Sequence, residues 1–161
     1  MKTSILSISR ELLNDNYTVR LKTQGYSMYP MLKPDDIIYI EKLPFQELKP
    51  SSIVVFRRED RWVAHRLFSS IQKNGQLILK TKGDSCITFD ENITEDKYIG
   101  RVAFRKRGNQ IKSLSDENAY TNAILKCHPY LHYILHLIAK IARKKQALIS
   151  FFQKKPSVSS Q

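Results

Sequence analysis

Residues 53–80 read Ile-Val-Val-Phe-Arg-Arg-Glu-Asp-Arg-Trp-Val-Ala-His-Arg-Leu-Phe-Ser-Ser-Ile-Gln-Lys-Asn-Gly-Gln-Leu-Ile-Leu-Lys, and this stretch decides the fold. Ile53 to Arg57 begins with β-branched and aromatic residues, the composition of a buried strand. Glu59-Asp60 supplies a hairpin tip, and Arg61 to Ser70 a longer returning strand that carries His65. Asn74-Gly75 is the strongest turn signal in the chain, because both residues tolerate the positive φ that a two-residue hairpin demands. It joins the returning strand to Leu77-Ile78-Leu79-Lys80. Consecutive hairpins without intervening helix mark an antiparallel β domain.

Working outward, Tyr17, Val19 and Leu21 alternate with Thr18, Arg20 and Lys22 as a strand would, and Ile37 to Glu41 reads as another. Downstream, Tyr98 to Arg107 and Gln110 to Leu114 form a last hairpin around Gly108-Asn109. Ile5, Ile8, Leu12 and Leu13 fall at helical spacing after a capping Thr3 or Ser4. The expectation is an N-terminal amphipathic helix over 1–16, a β domain over 17–115, a basic helical region over 116–155 and a disordered tail over 156–161.

The chain has 161 residues with 27 basic and 15 acidic side chains, a formal charge of +12. Seven of the basic residues and no acidic one lie in 118–161. Such charge suits an anionic membrane surface, an acidic partner or a nucleic acid, and nucleic acid is not the expected partner here. In the helical run from Tyr130, residues Leu131, Ile134, Leu135, Ile138, Ile141 and Ala142 share one face, and His132, His136, Lys140 and Arg143 another, with Pro129 placed to begin it. This helix is expected either to lie on an anionic membrane or to pack its apolar face on the β domain. No apolar run before Thr23 could span a bilayer or serve as an export signal, so the expected location is the cytoplasm, peripheral at the inner membrane surface. Cys86 and Cys127 lack metal-like spacing and read as free thiols.

The candidate chemistry starts at Gly25-Tyr26-Ser27-Met28-Tyr29-Pro30. Gly25 admits backbone angles that other residues avoid, and Pro30 fixes its own φ, a frame that can hold one hydroxyl in place. Ser27 needs a base, and His65, 38 residues on, is the only histidine of the β domain. An imidazole can take a seryl proton at neutral pH and return it to a leaving amine if a third group orients it. Asp84 and Asp90 both qualify, and spacing alone does not separate them. His128, His132 and His136 recur every four residues, a spacing that zinc ligands use, but no carboxylate accompanies them and a polar helix stripe is the expected reading.

Ser27-Met28-Tyr29-Pro30, Ile53-Val54-Val55-Phe56, His65-Arg66, Thr81-Lys82-Gly83-Asp84, Asp90 and Ile99-Gly100-Arg101-Val102 occur in the order found in type I signal peptidases. The chain resembles their Ser-His branch, which includes the archaeal and endoplasmic-reticulum enzymes; most bacterial members and the SOS-type repressors pair serine with lysine. The resemblance implies a coiled, mostly antiparallel β fold, with Ser27 as nucleophile and His65 as general base. It implies Asp90 as the triad acid, Asp84 as a second important aspartate, and no cofactor or metal. The family often has Gly-Asp where this chain has Asp35-Asp36 and again where it has Ser51-Ser52. Some members bind the oxyanion with a serine two residues before the nucleophile. Gly25 stands there, leaving backbone N–H groups such as that of Ser27. The expected function is a serine endopeptidase acting on an extended peptide or precursor; the alternatives are a self-cleaving regulator and a non-catalytic peptide-binding or membrane-surface module.

Overall fold

A computed structural model describes residues 5–114, 119–127 and 130–153. The proposed cap at Thr3 or Ser4, the helix-starting Pro129, His128 and the 156–161 tail lie outside the described residues. Helix α1 (Ile5–Asn14) leads into strands β1 (Val19–Lys22), β2 (Ile37–Glu41), β3 (Ile53–Arg58), β4 (Arg61–Lys73), β5 (Gln76–Lys82), β6 (Tyr98–Arg107) and β7 (Gln110–Ser113). Two helices follow, α2 (Ala119–Lys126) and α3 (Tyr130–Gln153).

Local chemistry explains the junctions. α1 ends on Asn16 at φ 62°, where the Tyr17 N–H donates to the Leu12 carbonyl and the Asn16 N–H to that of Leu13. This double bond pattern closes a helix through a left-handed residue, a conformation that asparagine tolerates. Asn74 and Gly75, at φ 51° and 74°, form the two-residue turn between β4 and β5 that their sequence demands. β4 extends three residues further than its sequence suggests, because cross-strand pairing continues to Lys73 opposite Gln76.

All strand pairs are antiparallel, in the order β1-β2-β6-β3-β4-β5 with β7 also on β6. β3 lies between β4 and β6 and is buried on both faces. Ile53 and Val55 face one core with Met28, Met31, Leu32, Ile38 and Ile40, while Val54 and Phe56 face another with Phe45, Leu67, Leu79 and Tyr98. This two-sided burial is why its sequence is continuously apolar instead of alternating.

The two departures from Gly-Asp sit at special backbone positions. Asp35 has φ 71° and Ser51 φ 81°, both in the left-handed region that favours glycine. The residue after the first of these, Asp36, is 3% exposed and accepts from Arg107 Nε and Nη2 at 2.8 and 2.7 Å.

α3 packs on the β domain, one of the two placements expected of it, but not through the full apolar face its spacing outlines. His132, Leu135 and Ala139 are its buried residues, whereas Ile134, Ile138 and Ile141 are exposed. The histidine stripe faces the β domain, because His132 and His136 donate through Nδ1 to the carbonyls of Asp84 and Ser85 at 2.9 and 3.0 Å. The carbonyls of Asp84 and Ser85 accept hydrogen bonds on this side, which rewards donor side chains where a purely apolar face would offer none.

Candidate active site

Ser27 lies in a turn held from both ends. Met28, Met31 and Leu32 are buried and anchor its C-terminal side, and Thr23 Oγ1 donates to the carbonyls of Lys33 and Asp36 on the other. Arg105 and Arg107 reach from β6 to the carbonyls of Pro30 and Met31. Gly25 has φ 79°, and a side chain there would meet nothing within 4 Å. It is therefore glycine for its backbone angle and not for lack of room. Tyr29-Pro30 is a cis peptide.

The turn rests on the loop after β5. Ser85 donates from its N–H to the Ser27 carbonyl at 3.0 Å and from its hydroxyl to the Tyr26 carbonyl at 2.5 Å. At Gly83 a Cβ would stand 2.5 Å from the Ser27 carbonyl oxygen and 2.7 Å from Cys86 Sγ. Only glycine lets the backbones approach so closely. Gly83→Ala is expected to push the Ser27 turn out of place, costing about 100-fold or more in turnover and roughly 1–3 kcal/mol in stability. Steady-state kinetics and urea unfolding of the variant check both.

His65 is 4% exposed on β4, edge-on to the Phe56 ring. Its Nδ1 lies 2.7 Å from Asp90 Oδ2. The same carboxylate oxygen accepts from Thr81 Oγ1 at 2.7 Å, and Oδ1 accepts from Arg58. Burial alone pushes the Asp90 carboxyl up. The hydrogen bonds from His65, Thr81 and Arg58 and the attraction of His65 outweigh it, and hold the group below the usual carboxylate range. Asp90 thus stays ionised, keeps the His65 proton on Nδ1 and leaves Nε2 as the basic nitrogen.

Asp84 is elsewhere. Arg66 grips it with Nε and Nη2, each at 2.7 Å, and donates Nη1 to the Ser51 carbonyl at 2.8 Å. Both partners of this bidentate pair are fully buried. Neighbouring positions on β4 point to opposite faces, so His65 takes Asp90 on one side and Arg66 takes Asp84 on the other.

Lys82 alternates in the same way with Thr81, and so does not point to Asp90 and His65. Its side chain is fully buried, among the described residues its ammonium has no hydrogen-bond partner, and it lies over the rings of Phe68 and Phe89 at 5.4 and 5.0 Å. Burial lowers its pKa to about 8, against the attraction of Cys86 and Asp84. The unfolded lysine keeps its proton to about 10.4. Between these values the unfolded chain holds more protons, so this group makes stability rise with pH from about 8 to about 10. Lys82→Met is expected to flatten that rise and to stabilise the protein at pH 7 by roughly 1–3 kcal/mol, as urea titrations at both pH values would read.

Ser27 and His65 are not hydrogen-bonded to each other, and among the described residues Ser27 Oγ makes no hydrogen bond. Ser27 opens into a cleft of about 600 Å³ lined also by Leu21, Ile38, Val55, Trp62 and Ala64. β5 pairs with β4 only from Arg66 onward, so among the described residues Arg61 to His65 keep a free strand edge along this region. Among the described residues β1 likewise pairs only with β2. The structure therefore joins His65 to Asp90, buttresses Ser27 on Gly83 and Ser85, and gives Asp84 to Arg66. Sequence reasoning missed Thr81, Arg58 and Ser85. Thr81 carried a signal, since strand alternation from Leu79 places its hydroxyl on one defined face; Arg58 and Ser85 carried none.

His132 and His136 are engaged with the backbone carbonyls, and among the described residues no group of three or more candidate ligands could hold a metal ion. Cys86 is half-buried, and burial together with nearby Asp90 raises its thiol pKa.

Comparison with known proteins finds that the profile of the family described as Peptidase S24-like matches residues 2–103, which include α1 and the sheet into β6. No curated protein matches the chain.

Proposed function

Since the chain belongs to the Peptidase S24-like family, we propose that it is a serine endopeptidase of signal-peptidase type, cutting an extended peptide or precursor through Ser27, His65 and Asp90. The observation that carries this reading is the buried His65–Asp90 pair, with the carboxylate kept ionised by Thr81 and Arg58. A structural histidine has no need of a carboxylate partner held by two further donors.

In the proposed reaction a peptide enters the cleft as a strand and pairs with the free edge of Arg61 to His65. Its arrival closes the gap between Ser27 and His65, a contact that substrate commonly tightens. Ser27 Oγ attacks the scissile carbonyl as Nε2 takes its proton, and the oxyanion is met by backbone N–H groups, that of Ser27 among them. The imidazolium, stabilised by Asp90, protonates the departing amine. Water then cleaves the acyl-enzyme with the same base. The resemblance to signal peptidases adds a preference for small residues before the cut. Maturation of a ribosomally made precursor on the cytoplasmic side, where Cys86 and Cys127 would stay reduced, is the proposed setting.

The test is incubation of the purified protein with a library of extended peptides, read by mass spectrometry. Cleavage after small residues, with the protein's own mass unchanged, is the expected result. Cleavage of the chain alone would instead identify a self-cleaving regulator. The uncoupled Ser27 favours one other reading, a module that binds peptide without cutting it; bound but intact peptides would establish that reading and end the first.

A further inference from the structure

Packing the histidine side of α3 on the β domain leaves the opposite side uncovered among the described residues. With about 100° per residue, the inward group His132, Leu135 and Ala139 stands half a turn from Tyr130, Ile134, Leu137, Ile141 and Leu148. These five are 81%, 53%, 43%, 68% and 60% exposed. They form a ridge along most of a 24-residue helix. Exposed Lys144 and Lys145 flank it, with Lys140 beside them. At its N-terminal end Ile87, from the loop between Asp84 and Asp90, joins Tyr130, Tyr133 and Ile134 around an apolar hollow of about 340 Å³.

We propose that this ridge is a docking surface for an anionic lipid bilayer, on which α3 lies in the plane of the headgroups. Charge selects the occupant. The described helix holds Lys140, Arg143, Lys144 and Lys145 with no acidic residue, so the ridge of a second copy would bring lysines against lysines. An anionic headgroup layer satisfies those lysines while the acyl boundary takes the isoleucines and leucines. Tyr130 and Tyr133 suit the same boundary, where amphipathic rings collect. No helix among the described residues is long and apolar enough to cross a membrane. Arg143 is turned inward, 5.7 Å from the Tyr26 ring, and so ties the docked helix to the nucleophile turn. Docking this way would hold the cleft close to the bilayer surface.

Cosedimentation of the full chain with phosphatidylcholine vesicles containing about 30% phosphatidylserine tests the proposal. Binding is expected to these vesicles, to weaken as salt screens the lysines, and to be far weaker to phosphatidylcholine alone. Lys144→Gln with Lys145→Gln should weaken partitioning about 30-fold, at roughly fivefold per lysine. Leu137→Gln with Ile141→Gln should weaken it about tenfold or more while circular dichroism stays unchanged. Ser27→Ala should bind vesicles like the unaltered protein, so failure of the peptidase reading and failure of this one are separable. Absence of binding at low salt would overturn the proposal, as would full binding by the Leu137→Gln, Ile141→Gln protein. So would a dimer seen by light scattering and abolished by those two substitutions, which would assign the ridge to a second copy.

Discussion

Ser27→Ala is expected to lower peptide turnover by about 10⁶, leaving only the contribution of binding and backbone donors. The magnitude follows from the proposed division of labour: with no hydroxyl there is no acyl-enzyme, and His65 has nothing to deprotonate. The substitution removes one cleft-lining oxygen from a turn whose fold rests on Met28, Met31, Leu32 and the Ser85 contacts, so melting should hardly change. Asp90→Asn provides the companion measurement. An amide can no longer fix the proton on Nδ1, and loss of the right tautomer should cost about 10⁴. Peptide turnover by purified Ser27→Ala at the unaltered rate would remove Ser27 from the mechanism, and full activity in Asp90→Asn would remove the triad.

The largest stability effect is expected at Asp84. Asp84→Asn takes from the fully buried Arg66 guanidinium the carboxylate that grips it with two hydrogen bonds, and breaking a buried pair in this way typically costs about 3–5 kcal/mol. For a chain of this length that corresponds to a melting point lower by roughly 6–20 °C. Asp84→Leu combined with Arg66→Met should recover much of the loss, because the pair's mutual desolvation disappears with it. Scanning calorimetry of the two proteins decides the matter. A double substitution no better than Asp84→Asn would show that the Arg66 bond to the Ser51 carbonyl, and not the charge pair, holds this corner. Asp84→Asn with unchanged melting would refute the argument altogether.

These two aspartates show where reading residues in order stops. Both stand in one loop after β5, both are carboxylates, and a count of residues from His65 does not rank them. Resemblance to signal peptidases favours Asp90 as the partner of His65. Its geometry is decided when β4 places His65 and Arg66 on opposite faces and the loop presents one carboxylate to each. Thr81 and Arg58 complete the Asp90 site from two further strands, at distances along the chain that no local pattern encodes.

The helix tells the same story in reverse. Its spacing is legible, and Tyr130 to Ala142 is helical as the periodicity implies. Which side faces the protein is not, because hydrophobicity alone turns Ile134, Ile138 and Ile141 inward. The carbonyls of Asp84 and Ser85 ask for donors, and His132 and His136 answer them, which rotates the apolar ridge outward.

What this sequence determined by itself was everything that depends on neighbours a few residues away. That covers the hairpin at Asn74-Gly75, the helix end at Asn16 and the turn at Gly25, each set by steric limits on φ. Only the tertiary structure decided which carboxylate His65 meets, that Gly83 must lack a side chain beneath Ser27, and which way α3 turns. Those outcomes depend on groups 18 to 56 residues apart, such as Arg66 with Asp84 and Gly83 with Ser27, brought together by folding. Hydrogen bonds and contacts at that range are satisfied by geometry that exists only once the sheet has closed.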